Sequence, residues 1–286
     1  MLRKCLSIAL LLAAAIALCP IGAAQRGTNF SFDAGKNPGD EVWSGGIKLR
    51  WCPPGTFTMG SPPDEPERRP GEDQVEVTLT KGFWMGKYEV TQGLWKRVMG
   101  SLPGLMDAGE GDNFPIYNCN FFQVEEFLQK LNEQWRATEK FPADWEFRLP
   151  TEAQWEYACR AGTTTATPYG DSLSSTQANF LGDKPYNGAR VGPALDFTCE
   201  VGRYAPNAWG LYDVCGNVFE WCRDWSHPRL PGGADPDLHD KPMRSRIRRG
   251  GCFADSGWPC RSAFRLQFEP ERGHAHIGFR IVAVGK

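Results

Sequence analysis

An α+β domain with little regular structure is predicted by three features of the chain. Two segments carry helical periodicity. Several short runs alternate apolar and polar residues as half-buried strands do. Thirty-two glycines and eleven tryptophans among 286 residues point to many turns and to large aromatics filling the core, and away from a helical bundle. That length suits one large domain or two small ones.

The elements follow in order. Ile47–Met59 has strand character interrupted by Pro53-Pro54. Pro62–Asp73 is rich in Pro, Glu, Asp and Arg and reads as an exposed loop. Gln74–Thr80 alternates Val75, Val77 and Leu79 with polar residues, a half-buried strand, and Phe83–Val90 continues as strand. A helix is expected from Thr91, whose hydroxyl can cap free N–H groups, through Trp95 to Met99. Ser101–Phe114 is a loop. Phe121–Trp135 places Phe121, Val124, Phe127, Leu128 and Leu131 on one helical face. Thr151–Cys159 opens on a T-x-x-Q capping box, Thr151 with Gln154, and turns Trp155 and Ala158 inward. Little regular structure is expected over Thr163–Ala208, and Ser226–Asp240 is a surface loop. Ile247–Phe253, Ala263–Phe268 and Ile277–Val284 read as strands. No fixed-period repeat appears.

Residues 1–24 read as a signal peptide, with Arg3 and Lys4, an apolar run Leu6–Leu18 and small residues before Gln25. The expected location is therefore periplasmic or extracellular. A lipoprotein would need acylation at Cys19, which the bulky Leu18 before it disfavours. Residues 25–46 form a polar N-terminal arm and residues 47–286 the domain. No later run is long and apolar enough to cross a membrane. The net charge of −2 offers no basic field for nucleic acid. Eight cysteines remain beyond the signal segment, an even number that permits disulfides in an exported chain.

Gly210–Trp225, reading GLYDVCGNVFEWCRDW, concentrates turn glycines, two carboxylates and large aromatics. Asp213 and Glu220 are hard oxygen donors of the kind Ca²⁺ prefers, and a turn between them would add backbone carbonyls. The competing reading is that both carboxylates only cap turns.

GLYDVCGNVFEW closely resembles a signature of the sulfatase-modifying factor, or formylglycine-generating enzyme, family. Gly55–Ser61 (GTFTMGS), Phe83–Trp95, Arg148–Gly162 (RLPTEAQWEYACRAG) and Arg249–Val282, ending in IGFRIV, match the same family in the same order. The resemblance implies a variant of the C-type lectin-like fold. It implies structural calcium held by the Asp213 side chain, the Gly216 and Val218 carbonyls and the Glu220 side chain. It implies a second calcium site beginning at Asn179-Phe180, with Asp196 the nearest candidate for a further ligand. A disulfide from Cys159 to a partner near Cys260 is also implied.

The activity implied is oxidation of a substrate cysteine to formylglycine by O₂ and copper, on polypeptides such as sulfatases. Two enzyme cysteines hold the copper, since soft thiolates suit Cu(I). Counted forward from Arg249-Gly250-Gly251, the first falls on Asp255 and the second on Cys260. A second alignment, through Cys260-Arg261-Ser262-Ala263-Phe264-Arg265, makes Cys260 structural. Two readings stand at this point. In an oxidase, Cys260 is catalytic with Cys252 as helper. In a non-catalytic module, a groove carrying Trp258, Arg261, Arg265 and Phe268 binds a peptide or a sugar.

Overall fold

The computed structural model describes residues 34–138 and 142–286. The expected signal segment lies outside the described residues. Twelve short strands and three helices are found among those described. The strands are β1 (Glu41–Ser44), β2 (Ile47–Cys52), β3 (Gly55–Met59), β4 (Val75–Leu79), β5 (Phe83–Gly86), β6 (Trp145–Arg148), β7 (Phe219–Trp225), β8 (Gly233–Ala234), β9 (Arg246–Arg249), β10 (Leu266–Phe268), β11 (Ile277–Gly278) and β12 (Val282–Gly285). The helices are α1 (Gln92–Met99), α2 (Phe121–Arg136) and α3 (Glu152–Arg160).

The helix starts follow the capping chemistry of the sequence. Thr91 Oγ1 accepts the Leu94 N–H. Thr151 and Gln154 form the expected reciprocal box. Asn120 and Gln123 form a second box ahead of α2. The apolar face of α2 is buried as its periodicity requires. Phe127 stacks on Trp95 of α1 at 5.2 Å and meets Phe279 edge-on at 5.3 Å.

The strands form three sheets, ordered β1-β2-β5-β12-β6, β10-β9-β7-β11 and β3-β4-β8. The first sheet joins the start of the domain to its end, because β12 inserts between β5 and β6. The polar arm expected up to residue 46 is shorter than that. Glu41–Ser44 pairs in register with Ile47–Arg50, and Lys87 Nζ holds Glu41 at 2.6 Å. Two strands end earlier than their apolar runs. β9 stops at Arg249 because Gly250 and Gly251 turn the chain at φ 99° and 75°. Ile277–Val284 divides into β11 and β12, which serve different sheets.

All eight cysteines of the described residues are buried and free. The expected disulfide at Cys159 is not formed here. Its Sγ lies 3.7 Å from Ser262 Oγ and 3.9 Å from the Val214 carbonyl. No helix of the described residues is long and apolar enough to cross a membrane.

Candidate functional site

The segment after β9 is built by its glycines. A side chain at Gly251 would sit 2.8 Å from Cys260 Sγ, so the turn needs glycine there. The chain then folds back through Cys252–Asp255 and a single 3₁₀ turn over Trp258–Cys260. It is anchored where the Phe253 N–H reaches the Asn217 carbonyl at 2.9 Å and the Leu181 N–H reaches the Asp255 carbonyl at 2.8 Å. The GN turn of the signature therefore supports this segment directly.

A groove of about 460 Å³ opens beside it. Trp258 and Phe264 meet edge-on at 5.0 Å and form one wall. Arg248, from β9, lies over Phe219 at 4.2 Å and over Phe268 at 5.2 Å. His274 and His276 complete the lining with Asp255. Burial depresses the pKa of both histidines, and each has Arg248 nearby, so they are neutral around pH 7.

The residues expected from sequence divide sharply. Trp258 lines the groove. Phe268 braces it, touching Arg248 and His274. Arg261 does not belong to it. Its guanidinium is fully buried and holds Glu65 at 2.6 Å, Glu72 at 2.8 Å and the Glu67 carbonyl at 2.9 Å. Arg265 lines the groove, yet its charge is taken by a two-point contact with Glu152, at 2.8 and 2.7 Å. Arg69 and Arg248 were missed. Nothing in the sequence distinguishes Arg248 from its strand neighbours Arg246 and Arg249.

The two thiols are both fully buried. Cys252 lies 3.3 Å from the Asp255 carboxylate. Burial, and then that carboxylate, drive its pKa far up. Cys260 is fully buried on the core side, and desolvation raises its pKa strongly too. Asp255 and Cys252 add to that rise, then Cys159, and the Cys260 carbonyl accepts Cys215 Sγ at 3.3 Å. Neither thiol is prepared to be a thiolate.

The Gly210–Trp225 signature is equally buried. Glu220 meets Arg280 through both oxygens at 2.6 Å, and Trp155 Nε1 adds a third bond at 2.6 Å. Asp213 accepts the Gly202 N–H at 2.6 Å, and burial lifts its pKa to about 6. Gly216 and Val218 flank Asn217, whose side chain ties Glu89, Asn179 and the Cys199 backbone together. A side chain at Gly216 would meet the Asn179 carbonyl at 2.3 Å.

Comparison with known proteins fits this geometry. Residues 48–284 match the model of the sulfatase-modifying factor enzyme 1-like domain. The chain belongs to that family. It is 27% identical to formylglycine-generating enzyme of Mus musculus over 282 residues, 82% of this chain and 75% of that one. It is 32% identical to chaperone protein LppX of Paenibacillus barcinonensis over 242 residues, 72% of this chain and 81% of that one. Among solved structures, PvdO from Pseudomonas aeruginosa superposes with a TM-score of 0.73 at 25% identity, covering 87% of this chain and 99% of that one. The fold is the family's variant of the C-type lectin-like fold.

Family membership makes copper and calcium worth testing against the residues present. Copper does not fit. Asp255 stands where the first thiolate is needed, a carboxylate is too hard a donor for Cu(I), and Cys252 and Cys260 are both fully buried. Among the described residues, no three His, Cys, Asp or Glu side chains form a metal-binding group. The first calcium quartet fits poorly, since both Glu220 oxygens are engaged by Arg280. The second fits better. Asn179 Oδ1 is buried without a hydrogen-bond partner, and its amide nitrogen lies 2.9 Å from the Phe197 carbonyl. Phe180 is buried beside it in sequence, whereas Asp196 is exposed.

Proposed function

We propose that this chain is a formylglycine-generating-enzyme-like domain that captures polypeptide segments in the Trp258 groove and does not perform two-thiol copper oxidation. The observation that carries this reading is the Cys252–Asp255 contact at 3.3 Å where a thiol pair is needed, with Cys252 and Cys260 both fully buried. Two features support a polypeptide as ligand. The family acts on polypeptides, and β10, an outer strand, runs beside the groove. One relative is itself described as a chaperone.

The direct test loads the purified protein with copper and incubates it in air with a C-x-P-x-R peptide. Mass spectrometry is expected to show unchanged peptide. An aldehyde product that disappears in Cys252→Ala would overturn the proposal.

A structural calcium ion at Asn179 belongs to the same reading. The Asn179 side chain, with the Phe180 and Phe197 carbonyls, would offer a hard cation oxygen donors. Such an ion would tie the 179–201 loop to the GN turn. Saturating calcium should raise the melting temperature by roughly 5 °C over a chelator control. Asn179→Ala should abolish the rise. Equal melting in both conditions would remove calcium from the account.

A further inference from the structure

The groove holds more positive charge than it neutralises. Arg69 lies over Trp258 at 4.4 Å and Arg248 between Phe219 and Phe268, both in the lining, and Arg272 sits outside the lining, over Phe268 at 5.7 Å. Among the described residues, none of these three guanidinium groups has an ion pair or a side-chain hydrogen bond. Arg248 is the most constrained. Its Nε is buried and unsatisfied, as are those of Arg50, Arg223, Arg246, Arg249 and Arg261. Unlike Arg249 and Arg261, it also has no ion pair or side-chain hydrogen bond among the described residues, and desolvation depresses its pKa. Leaving such a donor without a partner is costly, so the arrangement is poised for an acceptor that the protein does not supply. Four other buried or partly buried arginines differ. Arg249, Arg261, Arg265 and Arg280 are each matched to a carboxylate.

The groove offers little compensation from within. Asp255 is the one carboxylate among its lining residues; its charge acts on Arg248 without forming an ion pair, and its oxygen meets the Cys252 thiol. His274 and His276 are neutral. Aromatic faces hold the three arginines in place, which lowers the entropy lost when they bind an anion. The groove also continues. A second hollow of about 350 Å³ shares Pro70, Arg265 and Leu266 with the first. β10 contributes Leu266 to both and Gln267 to the second, and among the described residues it is paired only with β9. An outer strand beside a continuous hollow suits an extended backbone better than a compact small molecule.

We infer that the occupant is an acidic polypeptide segment in extended conformation, its carboxylates meeting Arg248, Arg69 and Arg272 while its backbone runs beside β10. This rests on the polypeptide reading above and narrows it. The charge is opposite to that of the C-x-P-x-R segment used in the oxidation assay. Arg248 would be the main determinant of selectivity, and Arg69 and Arg272 would set the rate of encounter.

The test uses short fluorescein-labelled peptides on one Ser/Tyr/Val scaffold, with Glu, Gln or Lys at alternate positions, read by anisotropy at low and high salt. The Glu peptide is expected to bind roughly tenfold or more tighter than the Gln peptide, with the advantage shrinking at high salt. Arg248→Gln should remove most of that preference. Arg69→Ala and Arg272→Ala, both at exposed positions, should each weaken the Glu peptide severalfold with unchanged melting. Gln or Lys peptides binding as well as the Glu peptide would overturn acidic selection but leave polypeptide capture standing. A Glu preference untouched by all three variants would place the site elsewhere. No binding by any peptide would defeat both readings. A uronic-acid oligosaccharide that binds more tightly than the Glu peptide, and loses affinity in Arg248→Gln, would make the ligand an anionic glycan instead.

Discussion

Arg261→Met should destabilise the domain by about 3–5 kcal/mol, on the order of 10 °C in melting temperature. Arg261 is fully buried and satisfies Glu65, Glu72 and the Glu67 carbonyl at once. Removing its charge strands two carboxylates in a site with no other partner of that strength. Ser61 Oγ still reaches Glu72 at 2.9 Å but carries no charge. The loss should depend on pH in a definite direction. Burial already raises the Glu65 pKa in the folded protein, against the pull of Arg261. Without Arg261 it rises further, so the native state holds a proton that the unfolded chain has released. Stability of the variant therefore falls as pH rises through the carboxylate range and beyond. Denaturant melts at pH 5 and pH 8 would measure this, with the larger deficit expected at pH 8. The outcome also separates two roles for the residue. A groove arginine would lose ligand binding and keep its melting temperature. A deficit in stability with peptide affinity intact, measured below the melting transition, assigns Arg261 to the framework.

Local chemistry and motif order made the scaffold readable. Thr91, Thr151 and Gln154 cap the helices they precede, because capping depends on neighbours within one turn. The apolar face of α2 is buried as its spacing requires. What the sequence did not carry was the partner of each charge. Arg248, Arg249, Arg261 and Arg265 lie within eighteen residues and look interchangeable on paper. Three of them find carboxylates contributed by distant segments: Glu156 for Arg249, Glu65 and Glu72 for Arg261, Glu152 for Arg265. Only Arg248 is left without one among the described residues, because β9 alternates and points it to the groove between two rings. The thiols show the same limit. Counting from Arg249 placed Cys260 beside Asp255, as it is, but could not show that the glycine turn buries the thiol fully, near Cys159 and Cys215 as well.

That contrast makes Arg249 the sharper probe of what the R-G-G segment does. Its guanidinium is fully buried, pairs with Glu156, lies 3.6 Å from Glu152 and donates to the carbonyls of Ser262, Ala263 and Phe264. It therefore clamps α3 to both sides of the Cys260 turn. Arg249→Met should cost about 3–5 kcal/mol by stranding Glu156, even though Arg160 still reaches that carboxylate at 2.9 Å. Glu156→Gln alone should also destabilise, since Arg249 and Arg160 both lose a charged partner. The double variant should lose clearly less than the sum of the two, because each single change leaves an unmatched charge that the second change removes. A coupling of at least about 1 kcal/mol in denaturant melts is expected. Strict additivity would mean that the pair is not the clamp. Because the clamp fixes the turn that withdraws Cys260, Arg249→Met should also make that thiol more reactive to alkylation in the folded protein. An unchanged alkylation rate at Cys260 would show that core packing alone withdraws it.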